Sequence, residues 1–166
     1  MLDESYFTNG EEESSMLSRR QARRLALQVL FANEFLNEDI LTVANRIADS
    51  LELELSGFSW ELILKTAQNQ TDIDRIIYKN LRGKRLDQLA PMDRVLIRLA
   101  ISELLFFPDI PIEVTFNEAL ELTKEFISFR SSKFMNGLLD SIYRYLKENG
   151  QIHKSVTTKI PHSHKK

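Results

Sequence analysis

The sequence predicts an all-α protein of about seven helices. Three observations carry that reading. Between residues 18 and 149, apolar side chains recur at three- and four-residue steps, the spacing of one helix face rather than the alternation of a strand. No run alternates convincingly, and no internal repeat is present. Ser, Asp, Pro and Gly fall at the ends of the periodic segments, where helices start and stop.

Taken in order, residues 1–17 have little apolar content and no periodicity, and read as a disordered acidic leader. Ser18 suits the cap of a helix running to about Asn37, with Ala22, Leu25, Ala26, Val29, Leu30 and Ala32 inward. A second helix starts near Asp39, with Val43, Ile47 and Leu51 at four-residue steps beside Ala44 and Ala48. Ser56-Gly57 punctuates. Phe58 to about Leu81 follows as one long helix, or as a pair broken near Asn69 with Thr71 capping the second part. Its inward residues are expected to be Trp60, Leu64, Ile73, Ile76, Ile77 and Leu81. Gly83 closes that segment, and Leu86 and Leu89 belong to a short connecting turn. Pro91 opens a strongly apolar helix, Met92 to Phe107, with Val95, Leu96, Leu99, Ala100, Leu104 and Leu105. Few polar residues interrupt it, which marks it as the central, most buried helix. Pro108 ends it.

Pro111 suits the first turn of the next helix, where a missing N–H is no loss. Val114, Ala119, Leu122 and Phe126, with Phe116 and Leu120, supply its apolar side, and Glu113, Glu118, Glu121 and Glu125 the other. Ser131 or Ser132 is expected to cap the last helix, whose apolar positions are Phe134, Met135, Leu138, Leu139, Ile142 and Tyr145. Asn136-Gly137 is a hairpin signal in other settings, but here the flanks keep helical spacing. A glycine inside a helix costs about 1 kcal/mol against alanine. The expectation is therefore close approach of a neighbouring helix at Gly137, with Asn136 in a buried polar contact. Gly150 stops the helix, the folded domain spans residues 18–149, and residues 150–166 read as a flexible basic tail.

Four stretches, SRRQARRLALQVLF, PMDRVLIRLAISELL, IPIEVTFNEALELTKEF and SSKFMNGLLD, resemble the bacterial NusB family of transcription antitermination factors. The resemblance covers about Ser18 to Leu146. It implies a NusB-type fold of two packed helical bundles and a non-enzymatic, cofactor-free role. It also implies pairing with the small-subunit ribosomal protein NusE and binding of boxA-type single-stranded RNA in ribosomal RNA leaders. The RNA polymerase elongation complex, with other Nus factors, would then read through termination signals. Family members occur as monomers and as homodimers, and the residues do not choose between them. The acidic leader and basic tail depart from the family pattern. The leader, as a polyanion, is placed to compete with RNA for the arginines that follow it.

Arg19, Arg20, Arg23 and Arg24 are the sharpest local charge feature. On a helix their spacing puts them on one broad face opposite the Leu25–Val29 stripe. Guanidinium forks fit phosphate oxygens and stack on bases. At a helix N-terminus positive charge opposes the macrodipole, which points toward an anionic partner; from charge alone the commoner outcome is a solvated face paired with acidic neighbours, the acidic leader among them. Resemblance to the family favours RNA contact. Lys133 and Phe134 offer a cation for RNA backbone and an aromatic face for a base. By spacing alone Phe134 is core, and the family resemblance assigns the pair to the RNA-binding region. Lys84 and Arg85 extend the basic surface more weakly. Arg98 and Glu103 interrupt the most apolar helix. They form either an internal ion pair or, by resemblance, contacts to NusE. Asn117, Glu118, Asn136 and Gly137 are assigned mainly to structure.

Composition narrows the remaining classes. The 166 residues suit one domain with a sizeable core. No cysteine is present, which excludes disulfides, thiolate zinc sites and a cysteine nucleophile. No stretch has the length of a membrane span and no signal peptide opens the chain, so the expected location is the cytoplasm with no membrane partner. The formal charge of −2 hides an asymmetry: the leader carries five acids and no base, the tail four lysines and no acid. Any RNA site is therefore a local patch. All three histidines, His153, His162 and His164, lie in the tail, the glycines are scattered, and no catalytic or metal constellation emerges. Two rivals remain: a protein-only adaptor, and a relative of the NusB-like domain of ribosomal RNA cytosine methyltransferases. The latter expectation is weakened by the lack of a cofactor domain and catalytic cysteines.

Overall fold

Backbone donors at the start of each helix must find partners outside it, and short polar residues supply them here. The computed structural model describes residues 17–83 and 85–154, and within these every long element is an α-helix. Ser18 caps α1 (Arg19–Phe35). Its Oγ accepts from the Gln21 N–H at 3.1 Å while the Gln21 Oε1 accepts from the Ser18 N–H at 3.0 Å. This reciprocal box satisfies two donors at once. Asp39 caps α2 (Ile40–Ser50) by accepting from the Thr42 N–H at 3.3 Å. Ser56 plays the same part for α3 (Gly57–Gln68), accepting from the Ser59 N–H at 3.3 Å.

The break expected near Asn69 is real, and α4 (Gln70–Lys79) follows it. Asn69, not Thr71, occupies the cap position, and its Nδ2 turns back to the Lys65 carbonyl at 2.8 Å. Thr71 sits exposed within the first turn of α4. After Leu81 the chain reverses through two consecutive left-handed residues, Arg82 (φ 43°) and Gly83 (φ 83°). A single 3-10 turn, Leu86–Gln88, leads to α5 (Pro91–Phe106), then α6 (Ile112–Phe126) and α7 (Ser131–Glu148). Ser131 is the first residue of α7 rather than its cap. Ser128 does the capping, its Oγ accepting from the Ser131 N–H at 3.1 Å.

The chain divides into two compact units, Met1–Leu64 and Lys65–Lys166. In the first, α1 packs on α2, and Ala22, Leu25, Ala26, Val29, Val43, Ala44 and Ala48 are buried as the periodicity requires. In the second, α5 packs on α4, α6 and α7. Every residue of α5 from Val95 to Leu104 is buried, as its apolar sequence demands.

Several inward positions differ from expectation. On α3 the fully buried apolar residues are Leu62 and Ile63, beside Ser59, while Trp60 and Leu64 are half-buried. Apolar residues surround that helix, so spacing alone selects no face. Leu51 and Val114 are exposed. On α6 the buried face includes Thr115 and Thr123, whose hydroxyls donate to the Glu103 carboxylate and the Ala119 carbonyl at 2.9 and 2.8 Å. Satisfied hydroxyls carry little burial penalty, so these threonines pass as core residues.

The last helix ends in a Schellman arrangement. Gly150 (φ 66°) donates to the Lys147 carbonyl at 3.1 Å, and the Gln151 N–H donates to the Leu146 carbonyl at 2.9 Å. The chain stays fixed beyond this point. Ile152 is buried, and the Lys154 ammonium donates to the carbonyls of Phe107, Ile110 and Glu103 at 2.9, 2.9 and 3.3 Å. The start of the expected loose tail is thus anchored through Lys154. Residues 1–16 and 155–166, where the rest of the leader and tail expectations fall, lie outside the described residues, as does Lys84.

Candidate nucleic-acid surfaces

The capped first turn of α1 sets the arginine cluster. Arg19, Arg20 and Arg24 are exposed, but Arg23 is only 3% exposed. The expected single solvent face of four arginines is therefore corrected to three. Arg19 and Arg23, one turn apart, place their guanidinium carbons 4.8 and 5.4 Å from the Phe58 ring centroid. A weakly hydrated guanidinium over an aromatic face keeps favourable electrostatics as it leaves water, which makes a buried arginine tolerable here. Arg23 thereby positions α1 and Phe58 rather than presenting itself to a ligand.

The second unit carries a groove of about 1040 Å³ between the end of α4 and one face of α7. Lys133, Gly137, Ser141, Arg144 and Glu148 follow one another at three- and four-residue steps along that face. Asn80, Leu81 and Arg82 form the opposing wall. The wall is tied to the helix: Ser141 Oγ donates to Asn80 Oδ1 at 2.9 Å, and Asn80 Nδ2 donates to the Ile76 carbonyl at 2.8 Å. Lys79 Nζ donates to the Tyr145 hydroxyl at 3.1 Å. Arg82, Arg130, Lys133 and Arg144 line the groove against two carboxylates, Asp140 and Glu148. Asp140 is itself engaged by Arg144 at 2.5 Å. The lining is therefore net cationic although the chain is not. Lys133 is exposed, and Phe134, expected as core by spacing alone, is 38% exposed at the groove. Cation and aromatic face thus share one concavity, the combination that grips single-stranded nucleic acid.

Gly137 differs from expectation. It is exposed, and a side chain built there would meet no atom of the rest of the chain within 4 Å. No neighbouring helix requires the glycine.

Arg98 and Glu103 are also corrected. Arg98, 6% exposed, forms a two-pronged pair with Asp74, Nε to Oδ1 at 2.7 Å and Nη2 to Oδ2 at 3.0 Å. Glu103, 2% exposed, accepts from Thr115. Both are buried, and each has a partner within the chain other than the expected one. Lys154 completes this region. Burial lowers its pKa, while the charges of Glu103 and Asp109 pull it back up.

The sequence reading missed Arg82, Arg130, Arg144 and Tyr145 as groove residues. Arg144 follows from Lys133, and Tyr145 from Phe134, by helical spacing. Arg82 and Arg130 do not, because they sit in turns whose direction no periodicity fixes. Among the described residues no cluster of three or more His, Cys, Asp or Glu is placed to hold a metal ion. Nor is any helix among them long and apolar enough to cross a membrane.

Comparison with known proteins places this architecture. Residues 20–144 match the model of the NusB family. The "Transcription antitermination protein NusB" of Chloroherpeton thalassium is 39% identical over 143 residues, covering 84% of this chain and 68% of that one. Among solved structures, T. maritima NusB superposes with a TM-score of 0.72 at 36% identity, covering 77% of this chain and 92% of that one. A structure described as antitermination factors NusB and NusE in complex with dsRNA superposes with a TM-score of 0.70 at 25% identity, covering 76% of this chain and 96% of its counterpart. With helices, signature runs and overall superposition in agreement, the chain belongs to the NusB family.

Proposed function

We propose that this protein is an RNA-binding transcription antitermination factor, acting in the cytoplasm without cofactor or catalysis. In this reading it pairs with NusE, grips boxA-type single-stranded RNA of ribosomal RNA leaders, and promotes read-through by RNA polymerase with other Nus factors. The observation that supports it most is the net-cationic groove in which Lys133 and Phe134 stand together on α7, in a chain that belongs to the NusB family. Lys133 holds backbone phosphate and Phe134 stacks on a base. Arg19, Arg20 and Arg24 on α1 add phosphate contacts of their own, and Arg23 supports them through Phe58. Because Arg98 and Glu103 are internal, the NusE contacts are assigned to exposed residues instead, with Arg98 and Glu103 holding the helices beneath.

Fluorescence anisotropy of labelled boxA-type RNA against a scrambled control, with and without NusE across a salt series, tests this. Replacing Arg19, Arg20 and Arg24 by alanine is expected to flatten the log–log salt dependence by about 0.7 per lost phosphate contact. NusE is expected to sharpen the preference for boxA-type RNA. Absence of RNA binding with and without NusE would leave a protein-only adaptor.

A further inference from the structure

Gly137 lies in the interior of an 18-residue helix, exposed, with ordinary negative φ and open space where a side chain would stand. Neither backbone strain nor internal packing calls for a glycine. Helix propensity argues against one, since glycine is the poorest helix former after proline. A residue that weakens its own helix and is not needed by its own fold points to something outside the fold.

The surroundings say what. Lys133 and Phe134 lie one turn before Gly137 on α7, Ser141 lies one turn after, and Arg82 stands on the opposing wall of the groove. Gly137 is thus the bare stretch of helix between the cation, the aromatic ring and the next cation, Arg144. A nucleotide whose base stacks on Phe134 and whose phosphate meets Lys133 must lay its sugar close to the helix surface beside them. Any side chain at 137 would occupy that space. We propose that Gly137 is the clearance residue of the groove, a specificity-determining position where the sugar–phosphate strand of single-stranded RNA approaches the α7 backbone. This rests on the RNA reading above and adds a residue to it that carries neither charge nor hydrogen-bonding side chain.

The position makes an uncommon demand: substitution should strengthen the fold and weaken the function. Gly137→Ala is expected to raise Tm by about 2–4 °C and to weaken binding of a fluorescein-labelled boxA-type RNA about tenfold, the scale of overpacking a fitted contact. Gly137→Leu should weaken it further. Neither variant removes a cation, so the salt slope should stay that of the unaltered protein, whereas Lys133→Ala should flatten it. Gly57→Ala serves as control, because Gly57 is also exposed with no atom within 4 Å of an added side chain but lies outside the groove; its RNA affinity should not change. If Lys133→Ala and Phe134→Ala weaken binding while both Gly137 variants bind normally, the clearance role is wrong and the RNA groove stands. If none of these variants alters binding, the groove is not the RNA site, and the clearance role falls together with the assignment of Lys133 and Phe134 while RNA binding itself stands. If Gly137→Ala lowers Tm, the glycine serves the fold and the proposal is overturned.

Discussion

Charged residues inside this protein are held by partners that sequence neighbours do not reveal. Arg98 was legible as an internal charge because it interrupts an apolar helix, yet its mate is Asp74 on α4. Nothing in the spacing of α5 points there; the match is set by how α4 and α5 cross. Breaking a buried pair leaves an uncompensated charge, which generally costs 3–5 kcal/mol. Asp74 keeps partial contact with water at 22% side-chain exposure, so Arg98→Ala is expected to cost about 3 kcal/mol, at the lower end of that range. Urea denaturation checks this, and a loss under about 1 kcal/mol would mean that solvent screens the pair. Replacing both members with apolar residues, Arg98→Met with Asp74→Leu, should recover most of the loss. NusE affinity of the folded Arg98→Ala variant should be unchanged. The same logic separates Arg23 from its neighbours on α1: helical spacing placed it correctly in angle, but did not reveal its burial beside Phe58.

At the scale of the element, starts and stops were the most legible features. Ser18, Asp39, Pro91 and Gly150 do what their chemistry predicts. The central place of α5 followed from its composition. Faces were less legible where apolar residues surround a helix, as on α3, or where threonines enter the core with satisfied hydroxyls, as on α6. Gly137 was read as a packing residue because an internal helix contact is the usual reason for a costly glycine; here the open side is the groove. Caps also bear on the proposed RNA contacts, since the exposed arginines of α1 occupy its first two turns. Ser18→Ala removes one half of the capping box and is expected to cost about 1 kcal/mol. Hydrogen exchange at the first turns of α1 should rise, and RNA affinity should fall modestly as those arginines lose their fixed spacing. Unchanged exchange there would show that Gln21 and water cap the helix adequately.

Across the whole molecule, charge is segregated rather than abundant. A chain of net charge −2 presents a net-cationic groove on one unit and three exposed arginines on the other. Five of its acids fall within residues 1–17, immediately before those arginines. Deleting residues 1–16 is expected to raise RNA affinity severalfold at low salt, with the gain shrinking as ionic strength screens the removed carboxylates. Equal affinities at every salt concentration would mean that the leader does not compete with RNA. The opposite end is governed by the Lys154 anchor. Because that ammonium grips the carbonyls of Phe107 and Ile110, the chain past Gly150 is stapled to the connection between α5 and α6 rather than held by α7 alone. Lys154→Met would undo that staple, and the amides of Gln151 and Ile152 are expected to exchange faster than in the unaltered protein.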